Sequence, residues 1–323
     1  MRLIWMTYSI PPTPLSLRRR INLLTARLFA FVATVLNWLR PLPKAPGEIV
    51  EYAYGQDPAQ TLQYIAPNPD VPLRAPLVYI HGGGWIIMKN RLYTRELIDF
   101  ANRGYPVFNL EYPLAPDNPH PGILLSLFSA LKWIRKRHPE VDGVHVMGDS
   151  AGGNLAAMLA VLSANPNLLR GLGPGAPLEA PVSIRSAVAL YGVHDRLSWL
   201  ETGFPGAELM LECYAGRIAF EPTVPPDKAI TPMDLEFDAY PPMFLITGAK
   251  DRLGESTKIL GERLERMPGV SAYKVYEGEM HGFFNMPWRP GYAELRSDIL
   301  EFLEAHDAVP GRAQEPQLAE ASV

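Results

Sequence analysis

A serine hydroxyl attacks a carbonyl only when it is presented clear of its neighbours, relieved of its proton and faced by donors that hold the resulting oxyanion. The 323-residue chain carries residue types for each of those tasks. GDSAGGN (148–154) places Ser150 between Gly148 and Gly152. The run before it, GVHVMGD (143–149), reads as a short buried strand, and the run after it, NLAAMLAVLSA (154–164), as an Ala- and Leu-rich helix. A strand that becomes a helix within so few residues strains the residue at the corner, and glycines two positions to either side relieve the crowding. The Ser150 hydroxyl is then pushed out at the carboxyl end of the strand, over a helix amino terminus. With 26 glycines, a chance G-x-S-x-G is expected about 0.1 times in such a chain, so the motif gains its weight from context.

HGGGW (81–85) supplies that context, because it follows APLVYI (75–80), a strongly apolar strand. Three glycines just past a strand end let backbone N–H groups approach a ligand with no side chain in the way. With the N–H of Ala151 they form a candidate oxyanion hole. Taken alone, HGGG is also the composition of a tight turn. A base and an orienting carboxylate should follow, and in parallel-sheet hydrolases with a strand-to-helix nucleophile turn the chain order is Ser, then Asp or Glu, then His. After Ser150 the histidines are His194, His281 and His306. PPMFLITGAKD (241–251) reads as a buried strand delivering Asp251, and SAYKVYEGEMHGF (271–283) as a strand with His281 in the loop beyond. His194, with Asp195 beside it, is the alternative base, but no strand intervenes to carry an acid before it. His306 ends the last helix and is expected to be solvated, while His81 is expected to brace the glycine loop.

The elements that must hold these residues alternate along the chain. Helical periodicity runs through 91–102, 123–137, 256–267 and 292–306, between the apolar strands. Successive units of that kind predict an α/β fold, a mostly parallel sheet covered by helices on both faces. A chain of this length with 47% apolar residues can bury a substantial core in one catalytic unit. Its single cysteine, Cys213, excludes an intrachain disulfide and fits a reducing, cytoplasmic compartment. Lying in MLECYAG, Cys213 reads as a helix packing residue.

At the motifs HGGGW (81–85), EYPLAP (111–116), GDSAGGN (148–154), ITP (230–232), GAKD (248–251) and HGF (281–283), taken in that order, the chain resembles the hormone-sensitive-lipase-like, or GDXG, family of α/β-hydrolases, whose commonest members are bacterial carboxylesterases. The resemblance covers most of residues 48–305. It implies an α/β-hydrolase fold with a helical cap, Ser150 as nucleophile, Asp251 as orienting acid and His281 as general base and acid. It further implies oxyanion donors from Gly83, Gly84 and Ala151, with Gly82 completing the loop. Two motifs depart from the family's pattern: DRLGES (251–256) stands where Asp-Pro-Leu and an acidic pair are usual, and YPLAPD (112–117) carries Pro113 where the family has arginine. The stretch EYAYGQDPAQTLQYIAP (51–67) also resembles the feruloyl-esterase-like and formamidase-like branches of the same fold.

The two ends differ from the middle. Residues 1–47 contain seven arginines and lysines and no acid, so the chain's net −4 leaves −11 for residues 48–323. Within 15–41, Leu17, Ile21, Leu24, Leu28, Phe31, Val35 and Trp38 recur at helical spacing. Three readings follow: an amphipathic helix packed over the active site as a cap, an interfacial membrane helix, or a signal or spanning segment, the last weakened by a 12-residue apolar core and by Arg27. Residues 195–230 are longer than a plain connection needs and are expected to form a second cap element, with Trp199, Leu200, Phe204, Leu209, Met210 and Tyr214 either lining an apolar pocket or packing cap on core. The tail 306–323 reads as disordered. The expected function is hydrolysis of small-molecule esters of small to medium acids without a cofactor or metal and without a nucleic-acid partner. Peripheral membrane contact through 15–41 and homodimerisation stand as open partners. An arylformamidase or feruloyl-esterase-like hydrolase is the alternative within the fold, and a ligand-binding protein lacking catalysis is the alternative outside it.

Overall fold

Strand formation follows burial on two sides. In the computed structural model, which describes residues 15–39 and 41–307, eight strands form one sheet: β1 (Ile49–Ala53), β2 (Thr61–Ile65), β3 (Leu77–Ile80), β4 (Val107–Leu110), β5 (Gly143–Asp149), β6 (Ser183–Leu190), β7 (Met243–Gly248) and β8 (Ser271–Tyr276). Their order is β1-β2-β4-β3-β5-β6-β7-β8. The pairs β1/β2 and β2/β4 are antiparallel, and every other neighbouring pair is parallel. The tail expected over 306–323 lies, beyond Asp307, outside the described residues.

Because successive strand side chains point to opposite faces, the apolar runs feed two cores at once. Val78, Ile80, Val144, Val146, Ala187, Ala189, Met243 and Leu245 join one core. Leu77, Tyr79, Met147, Val188, Leu190, Phe244 and Ile246 join the other. Helices α3 (Gly122–Arg137), α4 (Ala151–Ala164) and α8 (Gly254–Glu265) cover the first face, whereas α2 (Thr94–Asn102) and α9 (Tyr292–Ala305) cover the second. The short α5 (Pro166–Gly171) follows α4. The α/β architecture expected from the alternating pattern is therefore present, and the strand at 143–149 has the bounds its residues suggest.

The segment 195–230 forms α6 (Arg196–Glu201) and α7 (Ala207–Ala215), with short 3-10 turns after them. A buried arginine holds it to the core: Arg196 donates through Nε to Asp234 Oδ1 at 2.9 Å and through Nη1 to the carbonyls of Ala219 and Glu221. Cys213 is buried in α7 and its thiol is pushed up to about 11 by burial, as suits a packing residue.

The first helix, α1 (Leu17–Trp38), packs through the face opposite its apolar stripe. Leu23 and Ala30 face inward with Arg19 and Arg27. Arg19 pairs with Glu208 and Glu212 of α7, and Arg27 reaches Asp117 at 3.3 Å and the Ala115 carbonyl at 3.2 Å. Leu17, Ile21, Leu24, Leu28, Phe31 and Val35, the stripe that the cap reading turns inward and the interfacial reading outward, point to solvent. Ion pairs with the acidic face of α7 and the 115–117 turn set the rotation of this helix. His306 also departs from its expected solvation, because it is half-buried against the Phe302 ring and its Nδ1 lies 2.8 Å from the Phe302 carbonyl.

Burial leaves two histidines that titrate far from their ordinary value. His120 and His194 are each pushed down to about 3, chiefly by desolvation. In the unfolded chain a histidine titrates near 6.5, so as pH falls from about 6.5 towards 3 the unfolded state binds protons that the folded state refuses. Stability is thus expected to be full above about pH 6.5 and to fall on acidification by up to about 1.4 kcal/mol per pH unit for each histidine. Urea unfolding at pH 7 and pH 5 should show a smaller loss for His194→Leu than for the native chain, and equal losses would contradict the assignment.

Candidate active site

Ser150 occupies the corner between β5 and α4 with φ 54° and ψ −119°, a left-handed conformation that a serine adopts only when its surroundings enforce it. The two flanking glycines show how. A Cβ on Gly152 would stand 2.0 Å from the Ile80 carbonyl oxygen, and one on Gly148 would stand 2.3 Å from the Gly152 oxygen. Only hydrogen at both positions lets the first turn of α4 sit this close to β3. The Ser150 N–H is anchored to the Leu190 carbonyl at 2.8 Å.

The loops after β7 and β8 bring the other two residues to the same sheet edge. Asp251 Oδ2 lies 2.9 Å from His281 Nδ1, and His281 Nε2 lies 3.0 Å from Ser150 Oγ. The Asp251 side chain is fully buried while His281 is one-quarter exposed, so the line runs from the interior to an accessible hydroxyl. The second Asp251 oxygen accepts the Leu253 N–H at 2.8 Å. Arg252 reaches the Gly203 carbonyl, tying the DRLGES loop to the segment between α6 and α7. Behind His281, buried Glu279 accepts from Arg289 Nε at 2.7 Å and from the Gly291 N–H at 2.8 Å, which fixes the loop that carries the imidazole.

The glycine loop rests on Asp149, the residue before Ser150. One oxygen of this buried carboxyl accepts the Gly82 N–H at 2.8 Å and the Tyr79 hydroxyl at 2.9 Å, and the other accepts the Tyr93 hydroxyl at 3.2 Å. Burial raises the Asp149 carboxyl above its usual range, although these hydrogen bonds and the nearby histidines work in the other direction. The Gly82 N–H is therefore already engaged, so Gly82 braces the loop and is not a free donor. The N–H groups of Gly83, Gly84 and Ala151 have no acceptor among the described residues. Gly83 and Gly84 both have positive φ, at 108° and 57°, which only glycine adopts without strain.

His81 braces the same loop, as its sequence position suggests. Its Nδ1 is 2.7 Å from the Gly82 carbonyl, its ring stacks on Tyr112 at 4.3 Å, and Nε2 faces buried Glu111 at 3.5 Å. Burial alone would raise Glu111, but His81, Lys89 and the Asn90 N–H together hold it below the usual carboxylate value.

Above the site, the apolar residues of 195–215 divide by role. Trp199 and Tyr214 are buried against Trp85, and Tyr214 stacks on it at 4.4 Å. Leu200 and Leu209 are half-buried against the same core. Phe204 meets the His281 ring edge-on at 5.3 Å, and the Met210 sulfur lies 2.3 Å from where a Cβ on Gly84 would stand. These two border His281 and the glycine loop. His194 does not join them: it is fully buried, and neither ring nitrogen has a hydrogen-bond partner among the described residues.

Sequence reasoning missed Asp149, Asn154 and Glu279 as organisers, although Asp149 and Asn154 lie inside the nucleophile motif. Asn154 donates to the carbonyls of both Val193 and Ile230 and so binds α4 to the stretch that follows α7. Among the described residues there is no cluster of His, Cys, Asp and Glu that could hold a metal ion.

A strand-to-helix serine turn with a glycine loop at its side, on an eight-stranded and mostly parallel sheet, defines a hydrolase-type α/β protein. A family model described as alpha/beta hydrolase fold matches residues 77–285. The chain belongs to that family, in its hormone-sensitive-lipase-like branch of bacterial carboxylesterase type. It is 26% identical over 236 residues to an esterase of Acinetobacter venetianus, a match spanning 72% of this chain and 75% of that one. It is 36% identical over 97 residues to the hormone-sensitive lipase of Mus musculus, which covers 28% of this chain but only 13% of the mouse enzyme. Among solved structures, Esterase B from Lactobacillus Rhamnosis superposes with a TM-score of 0.76 at 21% identity over 90% of this chain and 95% of that one, which shows a shared fold.

If Asp149 positions the glycine loop, its removal must disturb two things at once. Asp149→Ala strips three buried donors of their acceptor and is expected to lower stability by about 3 kcal/mol, read from urea unfolding. It should also reduce kcat/KM for a simple ester. Asp149→Asn keeps one acceptor oxygen for Tyr79 and Gly82 and should recover most of both losses. An asparagine variant no better than alanine would refute the bracing role.

Proposed function

We propose that this chain is a serine carboxylic-ester hydrolase acting on esters of small to medium acyl chains. The observation that carries the reading is the unbroken line from Asp251 through His281 to Ser150, at 2.9 and 3.0 Å, beside three N–H groups without acceptors among the described residues. A proton on His281 Nδ1, directed at the Asp251 carboxylate, leaves the Nε2 lone pair facing the serine hydroxyl. As Ser150 Oγ attacks the ester carbon, its proton passes to Nε2, and the carbonyl oxygen becomes an oxyanion held by Gly83, Gly84 and Ala151. Collapse of that intermediate transfers the proton from Nε2 to the departing alkoxide. Water then repeats the attack on the acyl-enzyme, giving its proton to Nε2, which returns it to the departing Ser150 Oγ as the acid is released.

Support for ester chemistry also comes from the relatives, which carry the name esterase. The chain-length preference follows from two side chains. Phe204 beside His281 and Met210 over Gly84 narrow the space on either side of the reacting carbonyl. We assign α1 and the 195–230 segment together as the cap, joined by the Arg19 pairs to α7.

With p-nitrophenyl acetate, butyrate and octanoate, the native chain should favour the shorter acyl groups. Ser150→Ala or His281→Ala should lower kcat by about 10⁴- to 10⁶-fold, and the double variant by no more than either alone. Phe204→Ala should move the preference towards octanoate. Undiminished turnover in Ser150→Ala would sink the assignment.

A further inference from the structure

The outward face of α1 is the largest organised apolar feature that the proposed chemistry leaves unused. Leu17, Ile21, Leu24, Leu28 and Phe31 are 54 to 75% exposed, and Val35 continues the line. At about 100° per residue these six fall on one stripe of the helix, turned away from the face that packs through Leu23 and Ala30. Exposed Arg18 and Arg20 flank the stripe on opposite sides at its amino-terminal end. Arg19 and Arg27 are occupied by ion pairs to the body, so the basic charge left outward lies beside the stripe.

We infer that α1 docks this protein on an anionic lipid surface, lying in the plane of the interface with its apolar stripe immersed. A helix of 22 residues is about 33 Å long, enough to rest on a bilayer surface over its whole length. No described helix is long and apolar enough to cross a membrane. Charge complementarity selects the occupant. With Arg19 and Arg27 paired to the body, Arg18, Arg20 and Lys44 remain exposed among the described residues of a segment that has no acid, while residues 48–323 carry −11. A second copy could cover the six apolar side chains with its own stripe, but α1 carries no acid to face Arg18 and Arg20. Anionic headgroups above acyl chains match both features.

The position of the stripe relates docking to the reaction. Ala30, Phe31 and Thr34 of α1 border a cavity of about 450 Å³ whose other wall includes Ile87 and Met88. Met88 Cγ lies 2.7 Å from where a Cβ on Gly83 would stand, so the cavity backs onto the glycine loop. Phe31 belongs both to the exposed stripe and to the cavity wall, which puts one side of the cavity at the docked surface.

Flotation of the full chain with vesicles tests docking without any turnover, so its outcome is independent of the esterase reading. Native protein should float with mixed phosphatidylglycerol–phosphatidylcholine vesicles at least about tenfold better than with phosphatidylcholine alone. Leu24→Glu/Leu28→Glu, at two exposed positions outside the cavity, should lose that binding by about tenfold or more while hydrolysing a soluble short ester at the native rate. Absent flotation of the native chain, or equal flotation of the variant, would overturn the proposal. Light scattering that shows a dimer split by the same double variant, with no vesicle binding, would assign the stripe to a second copy and overturn it equally.

Discussion

The constraint on which the molecule turns is the contact between α4 and the carboxyl end of β3. A residue at the corner of β5 is held at positive φ because the chain must reverse from a buried central strand into a helix lying directly on the neighbouring strand's backbone. Any side chain at Gly148 or Gly152 would collide with main-chain atoms that cannot move aside without breaking the sheet. Strain at Ser150 is therefore sustained by the whole parallel sheet, and the same geometry that strains it leaves its hydroxyl clear and the first N–H of α4 beneath it.

Around that corner, three buried carboxylates set the loops. Asp149 collects the glycine loop, Glu111 collects His81, Lys89 and Asn90, and Glu279 collects Arg289 and Gly291 behind His281. Their electrostatics differ because their partners differ. Asp149 has hydroxyl and amide donors but no adjacent formal cation, and burial prevails to raise it. Glu111 and Glu279 face cationic side chains and are held low in spite of burial. Buried acceptors of this kind position backbone N–H groups rigidly, which preorganised stabilisation of an oxyanion requires.

The outer elements are attached differently from the core. The α6–α7 segment is fastened by the buried Arg196 network and by Trp199 and Tyr214 on Trp85, and α1 is fastened to it largely by Arg19. A helix held by arginines on one side is free to keep its apolar stripe on the other. This is why hydrophobic periodicity, which identified the helix, left both a packed and an outward stripe open: periodicity gives the direction of a stripe but not the surroundings it faces.

Local chemistry made most of the candidate site legible. Strand-to-helix junctions, glycine spacing and chain order singled out Ser150, Asp251 and His281 because each depends on residues near it in sequence, and the alternating apolar pattern carried the α/β class. Residue types alone did not decide. Ser186, His145 and Asp307 form another Ser-His-Asp line, at 2.8 and 3.4 Å, yet Ser186 and His145 are buried at the opposite end of the strands, with no glycine loop beside them. His194, the alternative base in the sequence, is set aside by its burial without a hydrogen-bond partner among the described residues. The tertiary structure also decided that Gly82 spends its N–H on Asp149, that Phe204 and Met210 border the site while Trp199 and Tyr214 brace it, and that α1 turns its leucines outward. Each of these depends on partners between 67 and 189 positions away, where the arrangement of the sheet and its loops, rather than any local pattern, determines which groups meet.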